Sequence, residues 1–274
     1  MQHPTVRYET AEAIARLTLN RPERLNAINQ AMLEEIGQAL DAAERDTSVR
    51  VILVSGAGAA FSSGFDLKEQ MERRPRGQAQ WGAILRRDFD TIMRFWRCPK
   101  PTVAMVRGAC LAGACELAMA CDITVAADDA FFGEPELKFG AGIVAMILPW
   151  LVAPKLAKEI ILTGEDRIPA ERACEIGMIN RVVAAGRLEA ECLRLARHLA
   201  AIDPVLMAQT KRALNHSCEA RSMAEALEAA LAIDLAIEAN GSPDKIAFMD
   251  IARRDGLRAA LAWRDARFAA APTD

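Results

Sequence analysis

Three stretches of the chain share one pattern: "VRVILVSG" (Val49 to Gly56), "KPTVAMVRG" (Lys100 to Gly108) and "CDITVAA" (Cys121 to Ala127). Each holds a short apolar run rich in β-branched residues, and the first two close on glycine. A strand that alternates polar and apolar residues can leave one face in water, whereas an unbroken apolar run has to be covered on both faces. Helical periodicity fills the intervals. Met32, Leu33, Ile36, Leu40 and Ala43 recur every three or four residues, and a charge-rich helical segment occupies about 78–97. Strand, glycine loop, helix and strand in that order predict an α/β body with parallel crossovers. "AIARLTL" (Ala13 to Leu19) alternates faces and reads as a further strand, and Asn29 or a neighbour caps the helix after "NRPERLNAI".

From residue 188 the strands disappear. "LEAECLRLARHLA" and "SMAEALEAALAIDLAIEAN" are alanine-rich and helical. The 274 residues therefore divide into an α/β core over 1–187 and a helical region over 188–274. A hydrophobic share of 52% suits a soluble body with a large core. The net charge of −3, with both signs mixed along the chain, argues against a nucleic-acid surface, which needs a concentrated basic face. The opening "MQHPTVRYET" carries no apolar signal segment. The most hydrophobic window, Phe139 to Pro154, contains Pro149 and two glycines and is too short to span a bilayer. The expected location is the cytoplasm, with no membrane partner. Seven scattered cysteines without metal-ligand spacing read as buried thiols in a reducing compartment, and no metal site is expected.

Two glycine loops, "FSSGFDLK" and "GACLAGACE", each place small residues ahead of a helix start. Glycine permits close approach and positive φ, and the first N–H groups of a helix lack partners. Two such ends converging on one carbonyl oxygen would form an oxyanion hole, while each loop alone is no more than a tight turn. Glu116 lies three residues after Gly113, on the first helical turn, where the helix N-terminus favours a charged carboxylate. Glu134 and Glu136 flank Pro135 among aromatic neighbours. Apolar burial would make either a raised-pKa acid, and solvation would make either an ordinary loop charge. These residues leave both readings open.

"NRPERLNAI", "AFSSGFDLKE", "KPTVAMVRGACLAGACELAMACDI", "AFFGEPEL" and "LTGEDRIPAERACEIGMINRVV" occur in the order seen in the enoyl-CoA hydratase/isomerase (crotonase) family, and the chain resembles that family from about residue 5 to 185. The resemblance implies a crotonase-like spiral of ββα repeats with a C-terminal helical region used in oligomerisation, as homotrimers or dimers of trimers. It implies acyl-CoA thioester substrates and no separate cofactor, coenzyme A being part of the substrate. The peptide N–H groups of Phe65 and Gly113 match the oxyanion-hole donors. Ala60, Ser63, Gly64, Phe65, Asp66, Leu67 and Lys68 match the segment lining the CoA path, and Arg24 matches a basic position near the CoA phosphates.

Glu116 matches the first catalytic glutamate of the hydratases and Glu136 the second. Glu134 stands where hydratases often carry Gln and reads as a supporting polar group. The pattern favours water addition to trans-2-enoyl-CoA over double-bond isomerisation, and over a non-catalytic acyl-CoA-binding scaffold, because two carboxylates suit hydration. The resemblance departs after Glu136. A glycine-rich stretch of the hydratases is replaced by Ile143-Val144-Ala145-Met146, which is expected to narrow the space beside Glu136 and to reposition it, reshape the acyl pocket or weaken hydration. Near the C-terminus, Trp263 and Arg264 stand in for a Phe and a Lys that face the CoA of a neighbouring subunit, or Trp263 is simply packed.

Overall fold

The computed structural model describes residues 4–269 and sets the three apolar runs side by side at the centre of one sheet. The strands are β1 (Val6–Ala11), β2 (Ile14–Leu19), β3 (Val51–Gly56), β4 (Thr102–Val106), β5 (Ala109–Leu111), β6 (Ile123–Ala127), β7 (Phe131–Gly133), β8 (Ile168–Pro169) and β9 (Arg181–Val183). Six form a sheet in the order β1-β2-β3-β4-β6-β9, parallel except for the β1–β2 hairpin. The other three form a second sheet, β5-β7-β8. The polar stretch "VRYETA" gave no strand signal, because only Val6 of β1 is buried and the strand is an edge. Its turn was equally silent. Glu12 and Ala13 both take positive φ, as two-residue hairpins require, without the Asn-Gly pair that advertises such turns.

Each pass through the large sheet is followed by a step into the second layer. After β3 the chain reaches Ser62, which bridges Cys110 of β5, and β5 pairs in turn with β7. β4 runs into β5, and β6 into β7. This repeated alternation is the expected ββα spiral. The second glycine loop of the sequence contains β5, and β7 lies in "AFFGEPEL"; each is only three residues long and too short for a periodic signal.

The helices are α1 (Gln30–Arg45), α2 (Leu67–Arg73), α3 (Gly77–Arg97), α4 (Gly113–Ala120), α5 (Leu148–Leu151), α6 (Pro154–Thr163), α7 (Ala170–Glu175), α8 (Leu188–Ala200), α9 (Pro204–Glu219), α10 (Met223–Asn240), α11 (Pro243–Asp255) and α12 (Leu257–Ala269). Asn29 caps α1, accepting from the Met32 N–H at 3.0 Å. Burial on both sheet faces follows from the alternation inside β3. Ile52 and Val54 join the cluster containing Met32 and Ile36 of α1 and Phe89 and Phe95 of α3, while Val51 and Leu53 pack with Leu188, Cys192 and Leu195 of α8. The first helix after residue 187 thus covers the second face of the sheet itself. The later helices return over the core. α10 lies along α3, with Arg86 paired to Glu228, and Phe248 and Met249 of α11 pack with Leu67 and Met71 of α2 and with Phe139. All seven cysteines are free, five of them buried.

An ion pair between buried Lys211 and exposed Asp122 ties α9 to the strand starts. Lys211 Nζ donates to Asp122 Oδ2 at 2.7 Å and to the carbonyls of Phe95 and Lys100, each at 3.2 Å, and Asp122 also accepts from the Thr102 N–H at 2.7 Å. Asp122 stays in reach of water and keeps its Thr102 donors when Lys211 is removed, so the loss is that of a partly exposed pair, about 1 kcal/mol. Lys211→Met should lower the urea-unfolding free energy by about 1 kcal/mol, and a loss within error of zero would show that the pair holds nothing together.

Candidate active site

The two glycine loops meet. Ile28 N–H donates to the Gly64 carbonyl at 2.8 Å and the Asp66 N–H donates to the Ile28 carbonyl at 2.9 Å. Successive peptides of an extended strand point to opposite sides, so the Phe65 N–H between them is turned away from Ile28. Gly113 opens α4, where the first amide has no intrahelical acceptor. Ala112 before it sits at φ 54°, ψ −137°, a conformation that costs a residue with a Cβ about 1–3 kcal/mol and that sets the direction of the Gly113 peptide. The loops are in contact. A Cβ on Gly64 would lie 3.5 Å from the Gly113 nitrogen, and a Cβ on Gly113 would lie 2.3 Å from the Phe65 ring. A Cβ on Gly64 would also lie 2.7 Å from the Ala112 Cβ and 2.8 Å from the Leu111 carbonyl oxygen, so glycine is a packing requirement there, and the Phe65 ring rests on Gly113.

Three acids converge one turn further along. Glu116 on α4, and Glu134 and Glu136 after β7, each bring a carboxylate oxygen to within 4.8 Å of the other two. None is more than 8% exposed. Glu116 accepts from the Val144 N–H at 3.2 Å and from the Ala145 N–H at 2.8 Å, one on each oxygen. Neither oxygen of Glu134 has a partner, nor has Glu136 Oε2. Burial pushes all three carboxyls up, Glu136 to about 8 and Glu116 and Glu134 well above the usual range, and the Glu136 charge adds to the upward push on the other two. The Val144 and Ala145 amides pull Glu116 back. Adjacent buried carboxylates cannot all ionise, and the member with amide donors on both oxygens is the one that best holds the negative charge. The arrangement thus pairs a carboxylate able to take a proton with a carboxylic acid able to give one. It is also the one group among the described residues with the spacing of metal ligands.

Of the other sequence-derived positions, Ala60 is buried and its carbonyl accepts from Asn26 Nδ2 at 2.8 Å. Ser63 donates its N–H to the Leu25 carbonyl at 3.0 Å, which places exposed Arg24 beside this segment. Asp66 accepts from the Lys68 and Glu69 amides and pairs with Arg21 at 2.8 Å, so its carboxylate serves the loop and the start of α2. Leu67 packs against α11, and Lys68 is exposed, 3.9 Å from Glu72. Phe65 borders a cavity of about 40 Å³ that extends to Gln70 and Asp88, and Gln70 also borders a cavity of about 250 Å³ lined by Trp81, Glu238 and Lys245. A cavity of about 680 Å³ lies between Arg97 and α9, and none of the three acids lines it. Trp263 is packed with α11, and Arg264 lies over the Phe139 ring, 4.6 Å from its centroid.

Sequence reasoning missed the amides of Val144 and Ala145, because a backbone donor has no side-chain signature. It also missed Asp234 and Asp88, whose positions on α10 and α3 read as solvated helix charges.

The enoyl-CoA hydratase/isomerase family model matches residues 9–240. The chain is similar to an enoyl-CoA hydratase/isomerase of known structure from Xanthobacter autotrophicus Py2, with 67% identity and a TM-score of 0.96 over 97% of this chain and 99% of that one. It is 31% identical to the crotonyl-CoA hydratase of Syntrophomonas wolfei, over 98% of this chain and 99% of the relative. It is 32% identical to the short-chain-enoyl-CoA hydratase of Clostridium acetobutylicum, over 80% and 84% respectively.

The raised carboxyls have a stability consequence of definite sign. Asp88 is pushed up to about 6, Asp234 to about 7 and Glu136 to about 8, in each case mainly by burial. Each holds its proton more tightly folded than unfolded, so the stability it confers is complete below the unfolded carboxyl range near pH 4. That stability is lost as pH rises through the folded values, at about 1.4 kcal/mol for every pH unit that separates a group's folded and unfolded values. The unfolding free energy should fall between about pH 5 and about pH 8, and Glu136→Gln should flatten the upper part of that fall. A stability that rises across the window would contradict the burial of these acids. The lowered carboxyl of Glu191, at about 2, has the opposite sign but acts only at lower pH.

Proposed function

The chain belongs to the enoyl-CoA hydratase/isomerase family, and on that premise we propose that it adds water across the double bond of trans-2-enoyl-CoA thioesters. The observation that carries this reading is the shared location of the Glu116 and Glu136 carboxylates, one held by two amides and the other with an unpartnered oxygen. Hydration needs a base for the attacking water and an acid for the α-carbon, and the environments here separate those roles.

In this reading the Phe65 and Gly113 N–H groups receive the thioester oxygen and stabilise the negative charge that develops on it. Charge drawn toward that oxygen leaves the β-carbon electron-poor. Glu116 orients the water and takes its proton as the oxygen attacks the β-carbon. Glu136 delivers its proton to the α-carbon, and the pair exchanges protons with solvent after release. Glu134 adds a third carboxyl whose charge is disfavoured by burial first and then by any charge on its neighbours, which supports its being a neutral supporting group. The altered segment after Glu136 has a part in this. Val144 and Ala145, which replace glycines of the family pattern, are the residues whose amides hold the base. Coenzyme A enters as part of the substrate, past the Ala60–Lys68 segment and Arg24.

Homotrimers, or dimers of trimers, have support in the apolar side chains left uncovered on the outer helices. Leu162 of α6, Val205, Leu206 and Leu214 of α9 and Ile233 of α10 are all more than 60% exposed, and apolar surface of this kind is usually covered by another molecule. No helix among the described residues is long and apolar enough to cross a membrane.

The test is loss of the conjugated thioester absorbance on adding crotonyl-CoA or a longer 2-enoyl-CoA. Glu116→Gln and Glu136→Gln should each lower kcat by about a hundredfold or more while acyl-CoA affinity stays within a few-fold. Full turnover in both variants would refute the assignment. Conversion of 3-enoyl to 2-enoyl thioester without hydration would identify an isomerase, and binding without any turnover a scaffold.

A further inference from the structure

Hydration as described makes no use of Asp234. This residue lies in the middle of α10, is 2% exposed, and neither of its carboxylate oxygens has a hydrogen-bond partner. Its Oδ1 stands against Gly142, where an added Cβ would come within 1.9 Å of it. Gly142 belongs to the loop that joins the two reacting carboxylates. On one side the Ala141 N–H donates to the Glu136 carbonyl at 3.0 Å, and on the other the Val144 and Ala145 amides hold Glu116. Asp234 therefore reaches from the helical region to the loop that runs between the two acids.

The cations near it are engaged. Lys245 is paired with Glu238, one turn along α10, and its ammonium lies 4.2 Å from the centre of the Trp81 ring. Arg87 is paired with Asp88 of α3, which lines the cavity that also touches Phe65. Asp234 is too far inside α10 to cap it, and it makes no ion pair. An aliphatic side chain would occupy the same place without the cost of desolvating a carboxyl. Burial first, and the Glu238 charge after it, push this carboxyl up to about 7, and the Lys245 charge and the nearby Gly142 N–H, which falls short of hydrogen-bond geometry, pull it only partly back. A buried polar group that the fold leaves unpartnered, beside a site that binds a long ligand, is an acceptor waiting for a donor on that ligand.

We propose that Asp234 accepts a hydrogen bond from a hydroxyl or amine carried on the acyl chain beyond the reacting double bond, so that the preferred substrates are enoyl-CoA thioesters with a donor-bearing acyl group. The proposal rests on the hydratase reading for where the double bond lies. A site built to bond a substrate donor discriminates strongly against the analogue that lacks it, because the acceptor is then left buried and unpaired.

The experiment measures binding of saturated, unreactive thioesters by calorimetry. Butanoyl-, pentanoyl- and hexanoyl-CoA are compared with counterparts bearing a terminal hydroxyl or a terminal amine. At one length at least, a donor-bearing ligand should bind about tenfold or more tightly than its alkyl parent. Tighter binding of the hydroxyl form assigns a neutral donor, and of the amine form a cation. Asp234→Leu should remove the preference, and Asp234→Asn, which preserves shape, should keep part of it for the hydroxyl form and lose it for the amine. Equal affinity for all three ligands at every length in the wild type, which needs no variant to fold, overturns the proposal, as does a preference that survives Asp234→Leu. Because these ligands do not react, the two readings fail separately. Absent hydration with the preference intact refutes only the hydratase, and hydration with no preference refutes only the role of Asp234.

Discussion

Two peptide amides, those of Val144 and Ala145, decide what the buried acids can do. Three carboxyls packed into one dry space would otherwise all retain protons, and none could serve as a base. By placing a donor on each oxygen of Glu116, the segment after Glu136 favours charge on that member of the cluster more than burial alone would allow. The asymmetry is backbone-made, so it depends on the path of the 140–145 loop and hence on whatever fixes that loop. Gly140 with Ser242, and Gly142 with Asp234, tie it to α10 and α11. The helical region in this sense supports the loop that holds Glu116.

Close approach has a comparable role at the other end of the site. Gly64 and Gly113 let two chain segments touch, and Ala112 accepts an unfavourable conformation to set the direction of the Gly113 amide. That strain persists because α4, wholly buried and packed on the sheet, over-determines its own start. Stability is given up at both ends, in backbone strain at Ala112 and in desolvated carboxyls around Glu136. A large two-faced core supplies the surplus that allows it.

The spiral explains how residues so far apart in sequence come together. Ser62, Cys110 and Phe132 lie in one row of the second layer, so the loops before α2 and α4 and the turn after β7 share one side of the molecule. Each successive turn of the chain adds one element of the site to that side: Phe65 from the first, Gly113 and Glu116 from the next, Glu134 and Glu136 from the third.

The sequence alone determined the central sheet, since the apolar runs at β3, β4 and β6 admit no partly solvated alternative, and the helices α1 and α3, whose periodicity is long and regular. It also determined the candidate acids and the glycine loops, because carboxyl and glycine are chemically distinctive wherever they stand. The edge strand β1, the three-residue strands β5 and β7 and the hairpin at Glu12 were not legible: their conformation comes from pairing with distant segments, and pairing leaves no local pattern. Only tertiary structure decided which acid receives amide donors, that Asp66 is occupied by a cap and an ion pair, that Val144 and Ala145 hold Glu116 through their amides, and that Asp234 is buried without a hydrogen-bond partner. Desolvation and hydrogen bonding to a carboxyl are set by what the fold brings against it, and a linear sequence does not record its own neighbours in space.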